Sequence, residues 1–481
     1  MSESADIGVV GLGVMGRSLA LNIASRGFRV TAYDRDDAAR QRLAAAARER
    51  EDADRRLAAA PDLAAFVGAL KQPRTVLMMV PAGAPVDEGL ASLRPLLASG
   101  DAVIDGGNSH YRDTIRRAQD MADGGLMFLG LGVSGGEAGA LTGPSLMAGG
   151  TRAAFARVKP LLSAIAARAG ERVCLAWLGE DGAGHFVKTV HNGIEYADMQ
   201  AIAEVYGLMR GAGLDHARMA ETFETWNRGE LESYLVEITA DILTRLDTAS
   251  GQPLVDLIQD RAAQKGTGQW ASVAALELGV PAPSIAEAVF ARTLSARKPE
   301  RIAAETALGV AASPIQAEPK ALIADLHDAL LATRLAGYAQ GLALIDAARR
   351  EHGWQTDLST IGTIWQGGCI IRARLLDGIR TAYGRDPGLA NLLMADEFRS
   401  RLVTALAALR RIVALAANHG QPMPLLATSL AYIEAYRTAR LPANLIQAQR
   451  DYFGAHTVEL AGRAGNTHID WAAAPKHKGP G

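Results

Sequence analysis

Ile7-Gly8-Val9-Val10-Gly11-Leu12-Gly13-Val14-Met15-Gly16 decides the fold of the first part of this chain. Ile7 to Val10 reads as a short buried strand, and the glycines follow at once as G-x-G-x-x-G. Ser18 to Ser25 has helical periodicity. Phe28 to Tyr33 reads as a second strand and ends at Asp34. Strand, glycine turn, helix, strand and acidic residue, in that order, predict an α/β dinucleotide-binding unit. Glycine permits the tight turn and lets the backbone approach a pyrophosphate at the helix N-terminus. Asp34 would accept hydrogen bonds from a ribose 2′-hydroxyl and repel a 2′-phosphate, Arg35 would attract that phosphate, and Asp36 adds negative charge. The residues leave NAD and NADP both open, with electrostatics leaning toward NAD or dual use.

Working outward, residues 35 to 70, rich in Ala, Arg and Asp, read as helical scaffold. Thr75 to Val80 is an apolar strand before Pro81-Ala82-Gly83. Ala102 to Ile104 is another, ending in Asp105-Gly106-Gly107-Asn108-Ser109. The carboxyl ends of parallel strands face the ligand crevice. Asn108 therefore either reaches a ligand or caps the helix that starts near Tyr111. Met127 to Val133 leads into Ser134-Gly135-Gly136-Glu137-Ala138-Gly139, which is either an anion-holding loop or a surface turn.

A second stretch carries the chemistry: Asp181-Gly182-Ala183-Gly184-His185-Phe186-Val187-Lys188-Thr189-Val190-His191-Asn192-Gly193-Ile194-Glu195-Tyr196. Lys188, His191, Asn192 and Glu195 fall at i, i+3, i+4 and i+7, one face of a helix. Phe186, Val187, Val190 and Ile194 imply that this face is partly buried. Burial favours a neutral amine and a protonated carboxyl, the pairing that acid/base chemistry requires. Beyond Gly184 the pattern becomes long helices, among them Ile194 to Met209, Leu322 to Arg349 and Phe398 to His419, so an all-helical part is expected. Within it, Gln264-Lys265-Gly266-Thr267-Gly268 is either a phosphate-binding loop or an exposed turn. Arg292, in an apolar helix, needs an anionic ligand or an acidic partner. Leu441-Pro442 ends the helical pattern, and the short segment with Arg450 and His456 must dock on something. The end, from Ala472, reads as disordered.

The chain has 481 residues, too many for one core, and 49% of them are hydrophobic. A net charge of −2 argues against a nucleic-acid partner. Cys174 and Cys369 stand at no metal-ligand spacing, so neither a disulfide framework nor a metal site is expected. No apolar run reaches the ~18 residues of a membrane span. No secretory leader is read at the N-terminus, and a cytoplasmic location is the expectation.

Taken together, S-G-G-E-A-G-A-L-T-G-P-S-L-M from Ser134, G-H-F-V-K-T-V-H-N-G-I-E-Y from Gly184, Q-K-G-T-G from Gln264, I-W-Q-G-G-C-I-I-R from Ile364 and R-D-Y-F-G-A-H-T from Arg450 resemble the decarboxylating 6-phosphogluconate dehydrogenases of the long, three-part form. The resemblance runs over nearly the whole chain. It implies a Rossmann-type domain over 1–180, an all-helical substrate and dimerisation domain over 181–440 and a tail over 441–481 that docks into the partner of a homodimer. It implies oxidation of 6-phospho-D-gluconate to D-ribulose 5-phosphate and carbon dioxide in the pentose phosphate pathway, without a metal. Lys188 matches the general base and Glu195 the acid. Asn108, Ser134, Gly135, Gly136, His191, Asn192, Tyr196, Lys265, Thr267 and Arg292 match substrate-binding positions. Arg450 and His456 match the pair supplied by the other subunit. Gly11, Leu12, Gly13, Val14, Met15, Gly16, Asp34, Arg35, Asp36, Val80, Pro81, Ala82 and Asn108 match the cofactor positions. The sequence departs from the pattern at Asp34, Asp36 and Pro81, all around the cofactor, which puts the NADP preference in question. The alternatives are a β-hydroxyacid dehydrogenase acting on an unphosphorylated acid, which needs neither the phosphate cations nor the tail, and a non-catalytic dinucleotide-binding scaffold.

Overall fold

A computed structural model describes residues 4–50, 53, 55–309 and 313–475. They divide into two compact units, one ending at Leu430 and one beginning at Ala431.

The first unit opens on a parallel sheet. β1 (Ile7–Val10) pairs with β2 (Val30–Tyr33) on one side and β4 (Thr75–Met78) on the other, with Val9 opposite Ala32 and Leu77. β3 (Leu57–Ala59) lies outside β2, and β5 (Ala102–Asp105) and β6 (Met127–Val133) continue beyond β4. β7 (Leu146–Gly150) turns back antiparallel to β6, and β10 (Leu175–Trp177) runs parallel to β7 at the other edge. Between them in the chain, β8 (Arg168–Ala169) and β9 (Arg172–Val173) form a separate short hairpin. The strands β1, β4 and β5 are apolar and buried because helices cover both faces. On one face lie α1 (Val14–Ser25), α2 (Asp37–Arg48) and α7 (Arg152–Ile165), which bury Leu19, Leu43, Val158 and Leu162. On the other lie α3 (Leu63–Gly68), α4 (Ala84–Leu93) and α5 (Tyr111–Asp123), which bury Phe66, Leu90 and Met121. A short α6 (Gly136–Thr142) joins β6 to β7.

The expectation of helix throughout 35–70 is corrected by β3. Leu57-Ala58-Ala59 is a half-exposed edge strand without an apolar run, so its composition reads as helix and only pairing with Val30 to Ala32 reveals it. The reversed strand β7 likewise has no clear pattern in the sequence, because Leu146 to Gly150 is short and ends in two glycines.

The helices that follow are α8 (Ala183–Gly211), α9 (His216–Asn227), α10 (Tyr234–Thr244), α11 (Leu254–Leu257), α12 (Thr267–Glu277), α13 (Pro283–Ser295), α14 (Lys298–Leu308), α15 (Pro319–His352), α16 (Leu358–Ile364), α17 (Leu375–Arg385), α18 (Asp396–Asn418) and α19 (Pro424–Tyr436). α8 is 29 residues long and joins the two kinds of structure. At its start, a Cβ on Gly184 would lie 2.4 Å from Met147 O and 2.7 Å from Gly130 O, so only glycine lets the helix seat directly on β6 and β7. Further along, Val190 and Ile194 pack against α15 at Gly341. α15 is buried along most of its 34 residues. Among the described residues no helix is long and apolar enough to cross a membrane.

The second unit, from Ala431, contains the end of α19, α20 (Ala443–Gly454) and the two-stranded β11 (Val458–Glu459) and β12 (Asn466–Thr467). Of the predicted disordered end, Ala472 to Pro475 are described and include a short turn, while Lys476 onward lies outside the described residues.

Candidate active site

The glycine turn sits where β1 ends. Gly11 has φ +90°, and a Cβ there would lie 2.5 Å from Met79 O at the end of β4. A Cβ on Gly16 would lie 1.9 Å from Gly11 O, so α1 and the turn are in contact. Gly13, by contrast, faces open space and begins α1 without any side-chain cap. Free N–H groups at an uncapped helix N-terminus, reached over a glycine, are what a pyrophosphate requires. The turn therefore fits a dinucleotide. Val80, Pro81 and Ala82 follow β4, with Val80 Cγ1 3.0 Å from the Gly11 Cβ position, so this loop flanks the turn. Val14 is exposed and Met15 packs on the core beneath.

The acidic residues around the turn have structural partners that sequence does not show. The Asp34 carboxylate accepts from Leu12 N–H at 2.6 Å and from Asp36 N–H at 2.9 Å. It thus ties the glycine turn to the end of β2. Asp36 caps α2 by accepting from Ala38 N–H at 2.9 Å and pairs with Arg42 at 3.2 Å. Arg35 is exposed and pairs with Glu88 of α4 at 3.3 Å.

After β5, Asp105 is fully buried and accepts from Ser109 Oγ at 2.6 Å and Gly107 N–H at 3.1 Å. These bonds shape the loop that presents Asn108, which is exposed. The cap of α5 is His110, whose Nδ1 accepts from Arg112 N–H at 3.3 Å. The capping alternative for Asn108 is therefore corrected, because the helix starts two residues later than that role needs.

The face predicted on α8 exists. Lys188 is 6% exposed and His191 is fully buried. Lys188 Nζ lies 3.4 Å from His191 Nδ1, which is 3.2 Å from Asn192 Oδ1 and 3.8 Å from Glu195 Oε2. The amide oxygen of Asn192 can only accept, so this contact places the imidazole proton on Nδ1. Nε2 then accepts from Ser134 Oγ at 3.2 Å. Burial pushes the Lys188 ammonium toward the amine, although the Glu195 charge works against it. Burial also raises the Glu195 carboxyl, against the pull of Lys188 and Arg292, with Asp198 adding to the rise. Burial and the neighbouring Lys188 hold His191 well below the usual imidazole range, so it is neutral. A buried amine, a neutral imidazole and a raised carboxyl on one face can take and give protons.

The loop Ser134-Gly135-Gly136 lies beside this face. Gly135 adopts a left-handed φ of 108° and approaches Gly368 O, 2.6 Å from its Cβ position. The turn Trp365-Gln366-Gly367-Gly368-Cys369 therefore closes the far side. Trp365 is fully buried and meets the His191 ring edge to face at 5.5 Å. Burial raises the Cys369 thiol to about 12, so it is un-ionised. The only sign of this turn in the sequence is the glycine pair Gly367-Gly368 between apolar helices.

Tyr196 is buried and marks the other end. Its ring lies 2.6 Å from the Cβ position of Gly268, so α12 packs on it. Thr267 begins α12 and is buried, after Gly266 in a left-handed conformation, while Lys265 is exposed. The Arg292 guanidinium stacks over the Tyr196 ring at 3.4 Å and donates to Ala263 O at 3.2 Å. Among the described residues Arg292 makes no ion pair with an acidic side chain, so of its two alternatives the salt bridge is not found and the anionic ligand stays open. Arg450 and His456 belong to the second unit, where both are exposed. Among the described residues no group of three or more His, Cys, Asp or Glu could hold a metal ion.

Comparison with known proteins adds a third line. Residues 6–179 match the family model for the NAD binding domain of 6-phosphogluconate dehydrogenase, and residues 184–471 match the model for its C-terminal domain. The chain is 48% identical over 467 residues to the NADP(+)-dependent, decarboxylating 6-phosphogluconate dehydrogenase of Bacillus subtilis, covering 97% of this chain and 98% of that one. It is 47% identical to the decarboxylating 6-phosphogluconate dehydrogenase of Ovis aries, covering 97% and 96%. Among solved structures, the Plasmodium falciparum 6-phosphogluconate dehydrogenase, described apo, with NADP+ and with 6-phosphogluconate, superposes with a TM-score of 0.93 at 39% identity, covering 97% of this chain and all of that one.

Proposed function

The chain belongs to the 6-phosphogluconate dehydrogenase family, and from that premise we propose how its residues divide the reaction. The protein is an oxidoreductase that converts 6-phospho-D-gluconate to D-ribulose 5-phosphate and carbon dioxide with a nicotinamide dinucleotide. A nicotinamide dinucleotide at the glycine turn would supply the acceptor for the C3 hydride. Lys188, as the amine, takes the proton of the 3-hydroxyl as that hydride leaves. The resulting 3-keto acid loses carbon dioxide because the carbonyl accepts the electron pair, and the Lys188 ammonium returns its proton to that oxygen. Glu195, as the acid, protonates C1 of the enediol to give the ketose. His191 and Asn192 hold the amine and the sugar hydroxyls in register. Ser134, Gly135, Gly136 and Asn108 bind the carboxylate end. Tyr196, Lys265, Thr267 and Arg292, with Arg450 and His456 from a second subunit, bind the phosphate end.

The observation that carries this reading is the buried Lys188–His191–Glu195 contact chain on one helix face. Its test is carbon dioxide evolution in step with reduced cofactor. Equal turnover of unphosphorylated gluconate would overturn the phosphate assignment.

We read the cofactor rim as leaning toward NAD or dual use, since Glu88 pairs with Arg35 and Asp34 and Asp36 add negative charge beside it in the chain. A three-part division at 180 and 440 and a homodimer with exchanged tails complete the reading. Exposed Leu276, Phe290, Leu294 and Leu308 support a covered apolar face, and sedimentation of the full chain tests it. A cytoplasmic location suits the two buried free thiols.

A further inference from the structure

Asp451 is fully buried in the C-terminal unit. Its carboxylate accepts four hydrogen bonds. Oδ1 takes Thr457 N–H at 2.8 Å and His468 Nδ1–H at 2.9 Å, and Oδ2 takes Trp471 Nε1–H at 2.9 Å and Ile469 N–H at 3.0 Å. Burial alone would raise this carboxyl, but the His468, Ile469, Trp471 and Thr457 donors outweigh it and hold it at about 2. One side chain thus closes two loops, from α20 to residue 457 and from α20 to residues 468–471. The first loop is tight. Ala455 and Thr457 both adopt positive φ, 50° and 63°, on either side of His456. Non-glycine residues hold such a conformation only where their surroundings impose it. Gln447, one helical turn before Asp451, connects the same parts. It accepts from Arg450 Nη1 at 3.0 Å and donates to Thr457 O at 2.7 Å.

We propose that Asp451, assisted by Gln447, is the positioning residue that sets Arg450 and His456 in one fixed geometry for the anionic end of the substrate. This rests on the reading above that Arg450 and His456 contact 6-phosphogluconate. A preset pair loses less side-chain entropy on binding than two free surface residues do. Asp451 touches no substrate itself. Removing its charge should leave the proton chemistry at Lys188 and Glu195 intact and weaken only phosphate capture.

The test is steady-state kinetics on the full-length enzyme with 6-phosphogluconate and its nicotinamide cofactor. Asp451→Asn presents amide hydrogens to two of the four donors. It should raise the KM for 6-phosphogluconate about tenfold, the scale of one charge-assisted hydrogen bond, with kcat and cofactor KM within about twofold. Arg450→Ala/His456→Ala combined with Asp451→Asn should be no worse than Arg450→Ala/His456→Ala alone, because Asp451 acts only through those two residues. If Asp451→Asn does not fold, Gln447→Ala provides the same readout at about threefold. A substrate KM unchanged in Asp451→Asn, or a loss shared equally by kcat and cofactor KM, overturns the inference while leaving Arg450 in place. An Arg450→Ala enzyme with unchanged substrate KM overturns the underlying reading, and the inference with it.

Discussion

Lys188 Nζ lies 3.4 Å from His191 Nδ1, on a helix face where both groups are buried. The contact suits an amine beside a neutral imidazole and disfavours an ammonium there. Lys188→Met should therefore lower kcat by about 10²–10⁴, the usual contribution of a general base. Cofactor affinity should stay within a factor of two or so, because the glycine turn is remote in the chain and independently held. Cofactor titration by fluorescence and steady-state turnover check both halves.

The pH profile supplies a signed prediction. Glu195 raises the Lys188 ammonium above where burial alone would put it. Glu195→Gln removes that charge, so Lys188 should lose its proton more readily. The acid limb of kcat/KM for the residual oxidation should move to lower pH, on top of a lower overall rate. A limb that stays or moves upward would show that Lys188 does not set it.

Cofactor choice should respond to Glu88. Its pairing with Arg35 is exposed, and such pairs contribute little, about 0–1 kcal/mol. Glu88→Gln frees Arg35 for a 2′-phosphate and should raise the ratio of kcat/KM for NADP over NAD by up to about fivefold. Asp34→Asn should shift the same ratio and also weaken both cofactors, because it disturbs the bonds to Leu12 and Asp36. Measured ratios for the parent and both variants decide this.

Behind the catalytic face, Arg334 donates to Asp198 Oδ2 at 3.0 Å and to Leu231 O at 3.1 Å, with both side chains nearly sealed from solvent. Arg334→Met leaves a buried carboxyl without its counter-charge. The expected loss is about 3–5 kcal/mol of stability, visible as a lower urea midpoint with the slope retained.

Glu204 provides a stability test with pH. Burial raises its carboxyl to about 7, against hydrogen bonds from Gln200 and from the Leu426 and Leu425 N–H groups that start α19. The folded chain then holds this proton more tightly than the unfolded chain does. Stability from this group is present below about pH 4.5 and is lost as pH rises through about 7. Relative to Glu204→Gln, the parent should lose up to about 3 kcal/mol between those limits. Parallel pH–stability curves for the two proteins would contradict this.

Much of the first unit was legible because a glycine turn between a strand and a helix has few alternatives. The α8 face was legible because helical spacing alone brings Lys188, His191 and Glu195 together. What escaped depended on distant partners. β3 is visible only beside β2, and the Trp365 turn meets His191 only after two long helices fold back. Asp34 looked like a cofactor selector, yet its carboxylate also holds Leu12. Arg292 asks for an anionic ligand or an acidic partner, and nothing in its local sequence shows that its guanidinium lies over the Tyr196 ring. Charge and burial can be inferred from sequence at such positions, whereas the identity of the partner cannot.

α8 begins against the sheet and ends among helices, so it acts as a single beam shared by both halves of the crevice. The backbone positions that carry the amine and the carboxyl are then seven helical steps apart, about 10 Å of rise, and that offset is fixed before any sugar arrives. Because both proton-handling groups ride on this one helix, a shift of the sheet against the later helices would leave their backbone offset unchanged.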